Sequence, residues 1–278
     1  MQCKATKLQK LRLFWFQRKT ELPGSVANSA VPASTWRCLS PDDRSTAWRW
    51  SMVLDFSGRW FAKEVILQCI RWYLAYKLSY RDLEEMMAER GVSVDHATIQ
   101  RWVVRYSPEL EAEFRSKKQA VGGSWRVDET YIKVKGEWKY LYRAVDKEGQ
   151  TVDFLLRARR DTVAAYRFFL KALGSSGMPT KITIDKSGAN KAAADAFVED
   201  VSLPDSPIEV RQVKYLNNIV EQDHRGVKGR TGPMLGFKSF QSARRTLAGV
   251  ELVHMLRKRQ HVDSAELSPA EVFYSLAG

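Results

Sequence analysis

Cysteine and histidine are scarce in this chain, with three and four among 278 residues. Cys3, Cys38 and Cys69 lie far apart and are odd in number, and no CxxC or Cys/His cluster occurs. That argues against a zinc site or a disulfide framework and favours a reducing compartment. No apolar run approaches the roughly 18 residues a bilayer span requires. The apolar stretch at 11–16 is shorter than a secretory core of about 7–15 residues, and charges follow it at once. A cytoplasmic protein without a membrane partner is the expectation. Acids are also in deficit: 32 Asp and Glu against 45 Lys and Arg leave a net charge of +13, a field that attracts polyanions. A basic soluble protein of another kind would share this charge, so it does not by itself name nucleic acid. General disorder is excluded by a hydrophobic content of 44%.

Residues 1–54 hold nine basic residues, Lys4 and Arg49 at the extremes, against Glu21, Asp42 and Asp43. Pro23, Gly24, Pro32 and Pro41 interrupt them, and no periodicity persists. This extension is expected to lie outside the working fold, with Met52 as a candidate natural start; a basic DNA-binding arm is the other reading. From Phe61 the pattern turns helical, with Val65, Ile66, Cys69, Ile70, Tyr73 and Leu74 on one stripe. Ser79-Tyr80-Arg81-Asp82 offers an imperfect capping box for a second short helix ending at Gly91. Asp95 caps a third, which buries Ile99, Trp102, Val103 and Tyr106 and is expected to stop before Pro108. Helix, glycine turn, capped helix is the outline of a helix-turn-helix over residues 55–118. His96, Gln100, Arg101 and Arg105 would form its DNA-facing side, though a helical hairpin that only packs has the same outline.

After Gly122-Gly123 the period changes to two. Residues 125–134, 138–145 and 151–156 predict an antiparallel meander. A helix near 162–173, a strand at 181–184, a helix near 189–198, a strand at 208–213 and a helix from Asn217 follow. The order β-β-β-α-β-α-β-α is best buried as an α/β mixed sheet with flanking helices, spanning residues 119–235. Residues 236–278 form a C-terminal basic helix and tail. That helix, near 240–259, carries Leu247, Val250, Val253 and His254 on one side and Arg244, Arg245, Arg257, Lys258 and Arg259 on the remainder.

Asp128 stands mid-strand, where aspartate is a poor former and a carboxylate needs a partner. Asp185 ends an apolar strand, the position at which α/β sheets bind ligands. Glu221 opens a helix. Singly these acids fit an edge, a helix cap and a solvated face. Together they suit hard divalent cations, which take carboxylate oxygens and serve phosphoryl transfer in pairs.

Asp128, Asp185 and Glu221, with Lys228 seven positions further, resemble the DDE motif of retroviral-integrase-like transposases. The strings Val127-Asp128-Glu129-Thr130-Tyr131, Asn217-Asn218-Ile219-Val220-Glu221-Gln222-Asp223-His224 and Leu235-Gly236-Phe237-Lys238-Ser239 are similar to the IS6 family of bacterial insertion sequences. So is Leu78-Ser79-Tyr80-Arg81-Asp82 in the helical region. The resemblance covers about residues 55–262. It implies an RNase H-like catalytic domain, and double-stranded DNA as partner, both as terminal inverted repeats and as target. It also implies replicative, cointegrate-type movement and a nucleoid-associated location.

On this reading Asp128, Asp185 and Glu221 are catalytic and hold two Mg²⁺ or Mn²⁺ ions. Lys228 contacts DNA phosphate, Asp223 stands behind the ligands, and His224 packs or assists a proton. A homo-oligomer on DNA is expected, because two ends must be held together. A metal-dependent nuclease without strand transfer, and a non-catalytic DNA-binding regulator, are the competing readings. The upstream helix-turn-helix outline argues against the first, and three placed acids against the second.

Overall fold

The computed structural model describes residues 54–185, 187–202 and 207–278, apart from the side chains of residues 214 and 215. The expectation for the basic N-terminal extension therefore falls outside the described residues, Leu54 excepted.

Three helices come first: α1 (Lys63–Ala75), α2 (Tyr80–Ala88) and α3 (His96–Ser116). Of the stripe read from the sequence, Ile66, Cys69, Ile70, Tyr73 and Leu74 are buried in α1 and Val65 is half-buried, with Leu67 buried beside them. At α2 the capping box forms in full. Asp82 accepts from the Ser79 backbone N–H at 2.7 Å, and Ser79 Oγ accepts from the Asp82 N–H at 3.1 Å. The shorter acid thus completes the reciprocal cap as glutamate would. Asp95 caps α3 through the N–H groups of Ala97 and Thr98.

The expected stop before Pro108 is not found: α3 runs on to Ser116 with the proline inside it. Proline removes one N–H from the ladder. The residues on either side, Tyr106, Ser107, Leu110 and Phe114, are buried, and their packing outweighs that loss.

Five strands follow the helices, interleaved with further helices: β1 (Ser124–Val134), β2 (Glu137–Val145), β3 (Thr151–Arg157), α4 (Thr162–Ser176), β4 (Lys181–Ile184), α5 (Gly188–Val201), β5 (Glu209–Gln212) and α6 (Asn218–Thr231). The sheet order is β3-β2-β1-β4-β5. β1, β2 and β3 are antiparallel, and β4 and β5 run parallel to β1. This is the mixed, helix-flanked sheet that the element order predicted. The long helix α7 (Phe240–Arg257) and the short α8 (Pro269–Ser275) complete the chain.

Alternation along the strands divides the core in two. Trp125, Val127, Tyr142 and Ala144 pack with Phe168, Phe169 and Phe197 of α4 and α5. The opposite face, with Ile132, Val134 and Leu141, packs with α7 and is continuous with the apolar stripes of α1 and α3. α7 differs from expectation. It is buried nearly all round, including Ala243, Leu247, Gly249, Glu251, Leu252 and Met255. The sequence showed one apolar side because Gly249 and Glu251 do not read as core residues; both are buried at the meeting of the helices and the sheet.

Candidate active site

β1 and β4 pair in parallel up to Val127 opposite Ile184, and β4 ends there. Asp185 therefore emerges level with Asp128, one strand spacing away, at about 4.8 Å for neighbouring strands. Asp128 and Glu129 point to opposite faces of β1, yet where β4 stops both reach its open edge. Ligating oxygens of Asp128, Glu129 and Asp185 all lie within 4.8 Å of one another. Asn190 of α5 holds two of these acids, donating to Glu129 Oε2 at 2.9 Å and Asp185 Oδ1 at 3.1 Å. The Arg160 guanidinium pairs with Glu129 and lies 3.7 Å from Asp185 Oδ2.

The electrostatics follow from crowding. Burial raises the Asp128 carboxyl most, the charges of Glu129, Asp185 and Glu221 add to it, and the group is pushed up to about 7. Burial also raises Glu129, against the Asn190 hydrogen bond and the Arg160 charge. Oxygen donors, mutually repelling and close together, fit a hard divalent cation.

α6 brings in the other predicted residues. Its start is fixed to β1 by buried Asn217, whose Nδ2 donates to the Val127 carbonyl at 3.3 Å. Glu221 sits in the first turn, solvent-exposed, and its charge acts on Asp128. It is not part of the close trio; Glu129 is. His224, one turn on, is buried with Nδ1 3.7 Å from Asp128 Oδ2. Burial and the charges of Arg143 and Lys228 push it down to about 3, so it is neutral. Lys228 is exposed one turn further still.

Asp223 turns into a buried ionic network. It lies 2.7 Å from both Arg143 and His254 and is ion-paired with Lys258. Arg143 is fully buried and makes a two-pronged bond to Glu251, at 2.7 and 3.0 Å. Burial works against both charges. The partners outweigh it, holding Asp223 well below the usual carboxylate range and Arg143 above its ordinary value. Sequence reasoning missed Arg143, Glu251, Glu129 and Asn190. The available signal for Glu129 was its adjacency to Asp128; for the other three there was none.

The predicted DNA-facing residues of α3 lie on a different element from the acids. His96 Nδ1 is 2.8 Å from Glu84, and Arg101 donates to Thr98 Oγ1 at 2.7 Å. The Arg105 guanidinium sits 5.3 Å from the Tyr106 ring centroid. His96, Arg101 and Arg105 are exposed and Gln100 is half-buried.

A family model described as a DDE domain, of the IS240 transposase type, matches residues 122–260. The transposase of the insertion sequence-like element IS431mec of Staphylococcus aureus is 42% identical over 205 residues, covering 73% of this chain and 89% of that protein. The transposase of IS257 in transposon Tn4003, also from Staphylococcus aureus, is 41% identical over the same length. Among solved structures, the HTLV-2 integrase catalytic core in complex with magnesium is 15% identical, covering 58% of this chain and 86% of that chain, with a TM-score of 0.33. The BIV integrase core is 16% identical, with 55% and 95% covered and a TM-score of 0.38.

Proposed function

We propose a chemistry for this site from one premise: the chain belongs to the IS6 family of insertion-sequence transposases and is a DDE transposase. Asp128, Asp185 and Glu221 are the catalytic carboxylates, and with them the protein nicks DNA at its element's ends and joins those ends to target DNA. The observation that carries this is the register of β1 and β4, which sets Asp128 beside Asp185 where β4 ends. Glu221 lies in the first turn of α6, near enough for its charge to raise the Asp128 carboxyl.

When bound there, two Mg²⁺ or Mn²⁺ ions would activate the attacking oxygen and stabilise the leaving one. The protein's own part is positioning. Asn190 and Arg160 keep Asp185 and Glu129 in place, Asn217 seats α6 on β1, and neutral His224 backs Asp128 without competing for its charge. Lys228 holds a phosphate. In the first reaction water attacks phosphorus and the bond to the 3′ oxygen breaks, leaving a 3′-OH. In the second that hydroxyl attacks a target phosphodiester. One P–O bond forms as one breaks, so no energy source is needed. Terminal inverted repeats are bound by the α2–α3 region through His96, Gln100, Arg101 and Arg105. The assembly on DNA is a homo-oligomer and movement is replicative.

The test incubates the purified chain with a labelled element end, target DNA and Mg²⁺. Asp128→Asn, Asp185→Asn and Glu221→Gln should each lower nicking by more than roughly a hundredfold while end binding persists. Near-wild-type nicking by any of the three removes that residue from the site. Joined products, not nicks alone, separate a transposase from a nuclease of the same fold.

A further inference from the structure

Beyond the end of β4, β1 and β2 continue as a projecting hairpin, turned at Lys135 and Gly136 with both φ positive, at 52° and 83°. The freed edge of β1 is taken by the segment after α6. Phe237 N–H donates to the Lys133 carbonyl at 2.9 Å, and Lys135 N–H to the Phe237 carbonyl at 2.8 Å. Gly236, at φ +100°, permits this approach, because a Cβ there would stand 3.0 Å from the Lys133 carbonyl oxygen.

Between the hairpin, the last turns of α6 and this segment opens a cleft of about 700 Å³, lined by Tyr131, Lys133, Trp138, Lys228, Leu235 and Phe237 among others. Its apolar groups are unusually bare: Trp138 is 60% exposed, Tyr131 45% and Leu235 88%. Tyr131 meets Trp138 edge-on at 6.4 Å and Tyr140 at a tilt at 5.5 Å, so the most exposed ring of the group is Trp138. Lys133 and Lys228, both exposed, flank these rings.

Flat apolar surface between cations complements a nucleobase and its anionic linkages. The place agrees. Tyr131 is two residues beyond Glu129 on the same face of β1, roughly 7 Å. Lys228 is two turns beyond Glu221 on one helix, about 10.5 Å.

We propose that this cleft binds an unpaired nucleobase of the DNA strand beside the scissile phosphate, stacked on Trp138, with Lys133 and Lys228 on the adjoining phosphates. The proposal rests on the transposase chemistry assigned to the carboxylates. Only a base already released from its own stack can offer a free face to Trp138, so the cleft favours DNA whose end has opened.

The experiment measures equilibrium binding of the full chain to two probes: a fully paired duplex, and the same duplex with mismatched terminal pairs carrying 2-aminopurine. The wild type should bind the opened probe roughly tenfold more tightly, the effect of one stacked base, and quench its fluorescence. Trp138→Ala should lose the increment and the quench while keeping the affinity for paired DNA; Trp138→Phe should retain most of both. Equal affinity of the wild type for the two probes overturns the proposal. So does a Trp138→Ala variant that weakens both alike. A dimer lost in Trp138→Ala, with no preference for the opened probe, also overturns it and assigns the cleft to a second copy. Binding of neither probe overturns the DNA reading as a whole, a result distinct from loss of the increment alone.

Discussion

Asp128 and Arg143 face each other across β1 and β2, and they belong to two opposite electrostatic regimes. On the Asp128 side, three carboxylates lie together with Arg160, among the described residues, alone in cationic contact, and burial plus like charge raises Asp128 and Glu129. On the Arg143 side, Asp223 and Glu251 are more deeply buried than Asp128 and Asp185 but answered by Arg143, His254 and Lys258. Acids that the chain itself neutralises are structure. Acids left in excess, held in place by Asn190 and a strand register, are waiting for a cation from outside.

Cutting the neutralised side should cost most. Arg143→Met leaves Asp223 and Glu251 buried without their guanidinium, and should destabilise by about 3–5 kcal/mol in urea unfolding. A loss under about 1 kcal/mol, the worth of a surface pair, would erase the contrast.

The excess side should respond with the opposite sign. The Asp128 carboxyl is raised in the fold to about 7, above its unfolded value near 3.9. Its contribution is therefore intact below about pH 4 and is lost as pH rises to about 7. In metal-free protein at pH 8, Asp128→Asn should be more stable than wild type by about 2–4 kcal/mol, and the two should converge in acid. His224, pushed down to about 3, loses stability in the reverse direction below about pH 6.5 and is common to both proteins. Mg²⁺ at pH 8 should raise the Tm of wild type and leave the variant nearly unmoved. Parallel pH profiles for the two would show that the carboxylate is not in excess.

The smallest expected effect sharpens the boundary between the regimes. Gly226 lies on α6 between Asp223 and Lys228, and a Cβ there would come within 2.4 Å of the His254 ring. That ring is tied to Asp223 and has little room to move. Gly226→Ala should cost about 1–3 kcal/mol in thermal or urea unfolding. No loss would mean that α6 is not held as tightly as its contacts imply.

Much of this architecture was legible before any coordinates. The meander showed in its alternation, α4 to α6 in their apolar spacing, and Asp128 in its misfit with a strand. What escaped was of one physical kind. Arg143 and Glu251 are 108 residues apart, and only the folded chain brings them into one buried pair. Glu129 faces away from Asp128 by strand parity, and joins it only because β4 ends one residue short. Local chemistry makes Pro108 a helix end, whereas α3 runs through it because its buried Tyr106, Leu110 and Phe114 pack in a core shared with other helices.

The unbroken core that runs from α1 and α3 through α7 to the sheet has a mechanical consequence. On the proposed function it would make the protein a caliper: a duplex gripped by the first helices would be fixed in span and in rotational phase from the acidic site. One base pair inserted between the two contact points would shift the backbone by about 3.4 Å and turn it away. Tolerance of such insertions therefore reports whether that core stays rigid while DNA is held.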